Sequence, residues 1–490
     1  MSNTLLYALT YIVFLALMVV ISWVAGRKST SEEVYRSQNN FGSIVIVVIS
    51  IGAFVSATGL VGISGWTYAG GLGPWMGYAL SSLLAVLFMI FFMPRIKVLN
   101  MNTPTLFIKE RYPKYNGIIT YPVGFMWWFQ NAAYLGVQFN ALALLCNIFF
   151  GWSHMLSLIV TTLFVLGYSV IAGLVSMKAT AMIQSIIQIA TPILILIVLL
   201  CKADGWSNVV AFHENNGTKE YLSWFKHVDW YNDIFYYTIT LGLFFIFIGY
   251  VSDWQRICAA KSSKVALRGM GWGIVAVVIL TGLAGYIGII APAVIGSDAP
   301  SGSVFYIIMK DYLPVGLTMF CIVGIMSTIL SGAIVFVNGG SVSVSENLII
   351  EWLKRGGKEV SDQDHARYYR IGTVLTVLFA FLLSWLVPSV MDLFSLLVVL
   401  LAVTLVIPYI FAWFSKKMNT EGALLGMFSG GIGALIWRSA GSPFEIDYMW
   451  VGYGLSLLGC IVGMLAGKKP DLEVVNRTYY FSPRFHRLKK

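Results

Sequence analysis

Thirteen separate apolar runs, most of them about as long as a bilayer is thick, constrain this chain more than any other feature. They cover residues 5–25, 44–70, 75–95, 117–150, 156–173, 179–201, 233–252, 269–292, 313–345, 371–388, 391–414, 420–438 and 447–467. A helix that crosses the hydrocarbon core needs about 20 mostly apolar residues. Runs longer than about 25 residues imply tilt, kinks or extensions beyond the membrane. Charge is correspondingly scarce: 58% of the 490 residues are hydrophobic and 11% are charged, where a soluble domain carries about 25% charged. A soluble chain of this length needs a charged surface, and this one has none to spare. The outer surface therefore faces lipid, where an open backbone must satisfy its own hydrogen bonds, and the expected fold is all-α. The first run, Leu5–Ala25, reads as a retained span. No basic residue precedes it, and its apolar stretch is longer than that of a signal peptide.

The basic residues orient the spans. Cytoplasmic loops carry the Lys/Arg excess. With the N-terminus outside, 27 of the 32 Lys and Arg residues fall on inside segments and 5 on outside ones. A missed span would scramble that alternation. The expectation is a multi-pass protein of the cell membrane with a cytoplasmic C-terminus. Residues 1–467 would form one transporter domain, and 468–490 a basic tail, disordered or lying on anionic lipid. The net charge of +10 thus reports membrane orientation rather than nucleic-acid binding. Cys146, Cys201, Cys258, Cys321 and Cys460 follow no metal-ligand spacing and read as small hydrophobes. No buried carboxylate pair or Ser/His/Asp set can be assembled at membrane depth, which argues against an enzyme and against a proton pump built on Asp or Glu.

Glycines mark where the helices should break. Span 2 carries Gly52, Gly59, Gly62, Gly65, Gly70 and Gly71 among Ser56, Thr58, Ser64 and Thr67. Glycine costs about 1 kcal/mol in a helix interior relative to alanine. Close packing of small residues is one reading. A discontinuous helix whose freed carbonyls bind an ion or solute is the other, and the interleaved hydroxyls favour it. Span 7 repeats the theme with Gly242, Gly249 and the aromatics Phe244, Phe245, Phe247 and Tyr250. The two interrupted spans stand five apart, so spans 2–6 (about 44–201) and 7–11 (about 233–414) would be inverted repeats around a midplane site. Span 9 offers Ser327, Thr328 and Ser331 after Gly324. A lone hydroxyl in lipid usually bonds its own i−4 carbonyl, but this cluster fits the oxygen set of a sodium site.

Together, GISGW in span 2, AGL at Ala172–Leu174, QRICAAKS at Gln255–Ser262 and GIMST at Gly324–Thr328 resemble the sodium/solute symporters. That family includes sodium/glucose, sodium/proline and sodium/sialic acid cotransporters. The resemblance spans roughly residues 5–440 and implies a LeuT-type fold of two inverted five-helix repeats. It also implies a sodium site between spans 2 and 9, with carbonyls of Gly52, Val55 and Gly324 and hydroxyls of Ser327 and Thr328 as ligands. No organic cofactor is implied. Many members carry an aspartate early in span 6; here that position is Ala181. Of two further hydroxyls used for a second sodium, Leu330 replaces one, so one sodium per cycle is expected. Phe54, Ala57, Thr58 and Gly59 stand where sugar transporters have a polar cluster, and Ile246 stands where some have a gating tyrosine. A sugar substrate is disfavoured.

The solute cavity is expected between Phe54, Ser56 and Thr58 of span 2, Gln130, Asn131 and Tyr134 of span 4, and Phe244 and Phe247 of span 7. Span 4 amides facing lipid would cost several kcal/mol each. A cavity without fixed charge suits a small neutral or zwitterionic solute, or a monocarboxylate met by a helix N-terminus. No obligate protein partner is inferred beyond membrane lipid. Two alternatives stand beside this reading. Lys178 lies one helical turn from Ala181 and would replace sodium coupling by proton coupling if its ammonium occupied the cation site. A transporter-like sensor is the other alternative, but only 23 residues follow Gly467, too few for an output domain.

Overall fold

A computed structural model describes residues 3–26, 41–225 and 236–485; at 22, 25–26, 53, 168, 170–183 and 236–241 only the backbone is described. The long helices are α1 (Asn3–Gly26), α2 (Ser43–Phe54), α3 (Ile63–Gly70), α4 (Gly73–Phe91), α5 (Thr120–Phe150), α6 (His154–Lys202) and α7 (Tyr236–Phe247). They continue with α8 (Val251–Ala259), α9 (Ser263–Ile295), α10 (Val315–Val342), α11 (Asp362–Leu386), α12 (Val390–Phe414), α13 (Thr420–Ser439) and α14 (Tyr448–Ala466). Their ends follow local chemistry. Ser262, Ser389 and Asn419 accept N-terminal backbone N–H groups through their side chains. Ser361 and Asp364 form a reciprocal box at the start of α11. Gly151 ends α5 in the left-handed region at φ 69°.

The helices follow the thirteen apolar runs in order. Among the described residues nine helices are long and apolar enough to span a membrane. The other four crossings have physical reasons for being less obvious. Spans 2 and 7 are each split into two short helices, α2/α3 and α7/α8. Glycines lower the hydropathy of α13. Spans 5 and 6 merge into α6, which has 49 residues and would be about 73 Å long if straight. It is not straight. Tyr11 of α1 sits against Thr161, while Met18, seven residues on, receives the Gln184 amide. Seven residues of α1 advance about 10 Å, whereas 161 to 184 in a straight helix would advance about 34 Å, so α6 bends.

Contacts between the connecting segments sort into two sides. Lys97 donates to the carbonyls of Cys258 and Ala260 at 2.6 and 2.8 Å, capping α8 where the helix dipole is negative. Arg111 reaches Ala412, Ser415 and Met418 carbonyls past the end of α12. Lys109 pairs with Glu351, and Arg355 donates to the Gly117 carbonyl. On the opposite side Leu72 bonds Tyr221, His213 bonds Ile289, and Lys310 bonds Ile148. Each of these joins segments that the charge alternation places together.

Packing between helices carries an approximate two-fold. α2 and α3 pack on α9, and α7 packs on α4; α6 packs on α10, and α12 on α5; α5 packs on α10 itself. Exchanging each span with the one five later maps these contacts onto one another, as inverted repeats require.

The tail differs from the expectation of a disordered or lipid-bound segment. After α14 the chain forms a short helix, Leu472–Thr478, that buries Val475 and Thr478. Tyr480 then donates its N–H to the Trp413 carbonyl at 2.9 Å and stacks beneath the Arg95 guanidinium, 3.5 Å from its ring centroid. Phe92 and Phe414 complete an aromatic cluster around it. Tyr480 and Phe485 thus fill a protein cleft beside the ends of α4 and α12. Truncation after Gly467 should lower the melting temperature in detergent by several degrees, measured by thermal unfolding of the full-length and shortened chains.

Candidate functional site

Span 2 breaks where its glycines predicted. α2 ends at Phe54, Val55 takes φ −87° and ψ 51°, and the chain resumes through a wide turn, Thr58–Gly62, into α3. Three groups freed at the break find side-chain partners. Tyr78 donates to the Phe54 carbonyl at 3.4 Å. Gln188 of α6 donates to the Val55 carbonyl at 2.8 Å. The Ala57 N–H donates to Gln138 Oε1 of α5 at 3.0 Å. Gly59 permits the turn, since a Cβ there would come within 3.1 Å of the Phe54 carbonyl oxygen.

Span 7 breaks in the same way. α7 ends at Phe247, Gly249 adopts φ 65°, and α8 starts behind Tyr250, whose backbone N–H is accepted by Asp253 at 2.7 Å. Trp413 and Trp254 indoles donate to the Phe247 and Ile248 carbonyls at 3.1 and 2.7 Å. Asp253, which the sequence placed near a span end, is buried and paired with Arg256 at 2.5 Å. Arg256 also reaches Ser50 Oγ at 3.1 Å and covers the Phe54 ring at 5.2 Å. This pair ties the second half of span 7 to the first half of span 2. A cavity of about 20 Å³, lined by Ser50, Phe54, Phe245, Gly249 and Asp253, lies beside it; that is room for about one water.

The five residues expected to hold sodium lie where α2, α6 and α10 meet. Ser331 Oγ donates to the Gly52 carbonyl at 3.4 Å, closing α10 onto α2. Thr328 Oγ1 donates to the Gly324 carbonyl at 2.9 Å. Gly324 is obligatory, because an added Cβ would stand 1.7 Å from Thr191 Oγ1 of α6. Ser327 Oγ is fully buried and has no hydrogen-bond partner. A buried hydroxyl left unpaired costs about 1–3 kcal/mol, so its lone pairs are available to a cation. The donor set is all neutral oxygen, which suits a hard monovalent ion. Lys178 and Ala181 belong to α6, but their side chains lie outside the described residues.

The expected solute residues separate into two groups. Tyr134 of α5 meets Tyr250 at the span 7 break, hydroxyl to hydroxyl, at 2.5 Å. Phe54 and Phe244 pack on the Tyr250 ring at 5.7 and 5.1 Å, and Phe336 stacks on Tyr134 at 4.6 Å. Ser56, Thr58 and Gln130 are buried; Thr58 Oγ1 and both polar atoms of the Gln130 amide have no partner. Phe247 and Asn131 point elsewhere. Phe247 faces Phe92 and Phe414 near the docked tail. Asn131 bonds its own helix at the Trp127 carbonyl and fills the space beside Gly339. Sequence reasoning missed Gln188, Gln138 and the paired state of Asp253. Gln184 and Gln188, one turn apart in an apolar span, were the available signal.

Comparison with known proteins follows this geometry. The model of the sodium:solute symporter family matches residues 35–430. The osmoregulated proline transporter OpuE of Bacillus subtilis (strain 168) is 24% identical over 479 residues, covering 94% of each chain. The high-affinity proline transporter PutP of the same organism is 24% identical over 475 residues, covering 90% of this chain and 96% of its own. A Na+-coupled sialic acid symporter, solved in a substrate-bound outward-open state, superposes with a TM-score of 0.75 at 16% identity, over 95% of this chain and 99% of that one. Mhp1, a nucleobase-cation-symport-1 family transporter solved in a closed conformation, gives 0.55 at 12% identity, over 92% and 98%. At these identities the two structures establish the LeuT-type fold.

The buried ion pair makes a specific prediction. Removing one partner of such a pair strands a charge and costs about 3–5 kcal/mol, whereas replacing both with neutral groups is far milder. Arg256→Met should therefore sharply lower the melting temperature, and the double variant Asp253→Asn/Arg256→Met should recover most of it. Thermal unfolding of the wild type and both variants in one detergent checks this.

Proposed function

Because the chain belongs to the sodium:solute symporter family, we propose that it carries a small zwitterionic solute of amino-acid size with one sodium ion per cycle. Family, relatives and fold together make it a sodium-coupled solute transporter. The finer statement rests on one observation: both broken spans meet at a buried aromatic centre of Phe54, Phe244, Tyr134 and Tyr250, and the buried polar groups without partners on Thr58, one turn of chain past Phe54, and on Gln130, one turn before Tyr134, are uncharged. A zwitterion suits that centre. Its carboxylate can face the N-terminal turn at Thr58–Gly62, where the helix dipole is positive, and its apolar body can lie among Phe54, Phe244 and Tyr250. That two relatives are proline transporters supports an amino or imino acid over a sugar.

The single-ion proposal rests on the neutral oxygens of Gly52, Val55, Gly324, Ser327 and Thr328, and on Leu330 where a second site would need a hydroxyl. Membrane potential supplies about 2.3 kcal/mol per charge per 100 mV, so one sodium plus its own gradient can concentrate a neutral solute about a hundredfold or more. The orientation that goes with this reading has the N-terminus outside and the tail in the cytoplasm, following the basic residues.

Uptake into proteoliposomes tests the reading. Labelled L-proline should accumulate when sodium is present, stop when choline replaces sodium, and follow sodium with a Hill coefficient near one. Unlabelled amino acids should compete better than monocarboxylates, nucleobases or sugars. Ser327→Ala and Thr328→Ala should each raise the half-saturating sodium concentration about tenfold, a loss of roughly 1.4 kcal/mol. Equal uptake in choline would refute sodium coupling, and competition led by monocarboxylates would reassign the solute.

A further inference from the structure

Four carbonyls are freed at the two helix breaks, and all four accept a side-chain hydrogen bond. At span 7 the donors are the indoles of Trp413 and Trp254. An indole N–H donates and never accepts, so those carbonyls are held permanently. At span 2 the Val55 carbonyl is held by an amide, Gln188 Nε2. An amide carries both donor and acceptor, and its two ends exchange by rotation about the last side-chain torsion. Gln188 is fully buried, and its other end, Oε1, has no partner. An unpaired amide oxygen buried this completely is costly. A second unpaired oxygen belongs to the same helix pair: Ser327 Oγ, also buried and without a partner, sits on α10 one turn past Gly324, and Gly324 is pressed against Thr191, one turn along α6 from Gln188.

We propose that Gln188 is a sodium ligand and the latch on the empty site: its Nε2 holds the Val55 carbonyl when the ion is absent, and its Oε1 turns to the ion when it binds. The inference rests on the sodium site described above. It adds a residue from span 6, the span where the acidic position common in the family is Ala181. The proposed ligand is thus a neutral, reversible dipole rather than a fixed negative charge. A neutral amide lowers the attraction for a cation but removes the cost of an unpaired carboxylate when the site is empty. The swap sets what an arriving ion has to displace. Gln188 Nε2 holds the Val55 carbonyl at 2.8 Å, whereas the Ser331 hydroxyl gives its shorter bond to the Thr328 carbonyl at 2.9 Å and lies 3.4 Å from the Gly52 carbonyl, so an arriving ion must displace the amide. The site then discriminates against divalent cations, whose binding needs carboxylate charge.

Sodium-dependent thermal stabilisation of the purified full-length protein, without solute, tests this directly. Sodium chloride is titrated against choline chloride at constant ionic strength for the wild type, Gln188→Leu and Gln188→Glu. The wild type should show a saturable, sodium-specific rise in melting temperature. Gln188→Leu, which offers no oxygen, should shift the half-saturating sodium concentration upward about tenfold. Gln188→Glu, which keeps the oxygens but loses the N–H, should shift it downward and should let calcium stabilise the protein. Opposite shifts in two variants of one residue are not expected of a residue that only packs. If Gln188→Leu does not fold, the Gln188→Glu shift and its calcium response decide alone. Unchanged midpoints, or shifts in the same direction, would overturn the role of Gln188 while leaving the sodium site in place. Absence of any sodium-specific stabilisation in the wild type would instead remove the sodium site and this inference with it.

Discussion

A helix that stops inside a bilayer leaves backbone groups with no water to bond, and this protein stops two helices there. Everything around the centre is arranged by that constraint. Phe54, Val55, Phe247 and Ile248 expose carbonyls at the breaks, and side chains from four other places in the chain meet them. Those bonds fix how α4, α6 and α12 approach the broken spans. Pseudo-symmetry appears in the same bonds: Gln188 of span 6 serves span 2 as Trp413 of span 11 serves span 7. The repeats share a solution to the backbone problem while using different side chains, and the difference in chemistry separates a fixed joint from an exchangeable one.

The ion pair Asp253–Arg256 shows how the two broken spans are held to each other. It lies on the α8 side of the break, caps the α8 N-terminus through Asp253, and reaches Ser50 and Phe54 of α2 through Arg256. One layer away, the Tyr134–Tyr250 contact closes the aromatic centre. The breaks thus form a hub at which ion site, solute site and closing contacts share the same few residues. On the proposed reading, coupling between ion and solute runs through Phe54 and Val55, since Phe54 lies against the aromatic centre and the next carbonyl is a proposed sodium ligand.

Sequence patterning carried most of the architecture because lipid leaves so few options. Apolar runs counted the crossings, and Lys/Arg alternation sorted the loops into the same two groups that Lys97, Arg111 and Arg355 join in the structure. Glycine clusters located both breaks, and Gly59 and Gly249 proved necessary at the turns for steric and dihedral reasons. Side-chain direction was less legible. Phe247 looked equivalent to Phe244 in a row of aromatics, yet three residues of helix followed by a break turn it toward Phe92 and the tail. Asp253 and Arg256 looked like ordinary residues at a span end, because sequence cannot show that α8 folds inward after Gly249. The tail looked disordered because its partners are distant in the chain: Arg95 and Phe92 lie hundreds of residues before it, and Phe414 lies two spans before it. Gln188 escaped notice because its meaning depends on a carbonyl more than a hundred positions away.

The central claim is that the break in span 2 opens a neutral oxygen site for sodium against α6 and α10. A cryo-electron-microscopy map of the protein in saturating sodium and solute addresses it most directly. The account predicts a compact density bounded by the Val55 and Gly52 carbonyls, Ser327 and Gln188, with solute density against Tyr134 and Tyr250. A map in which Gln188 still bonds the Val55 carbonyl, with ion density elsewhere, would contradict it.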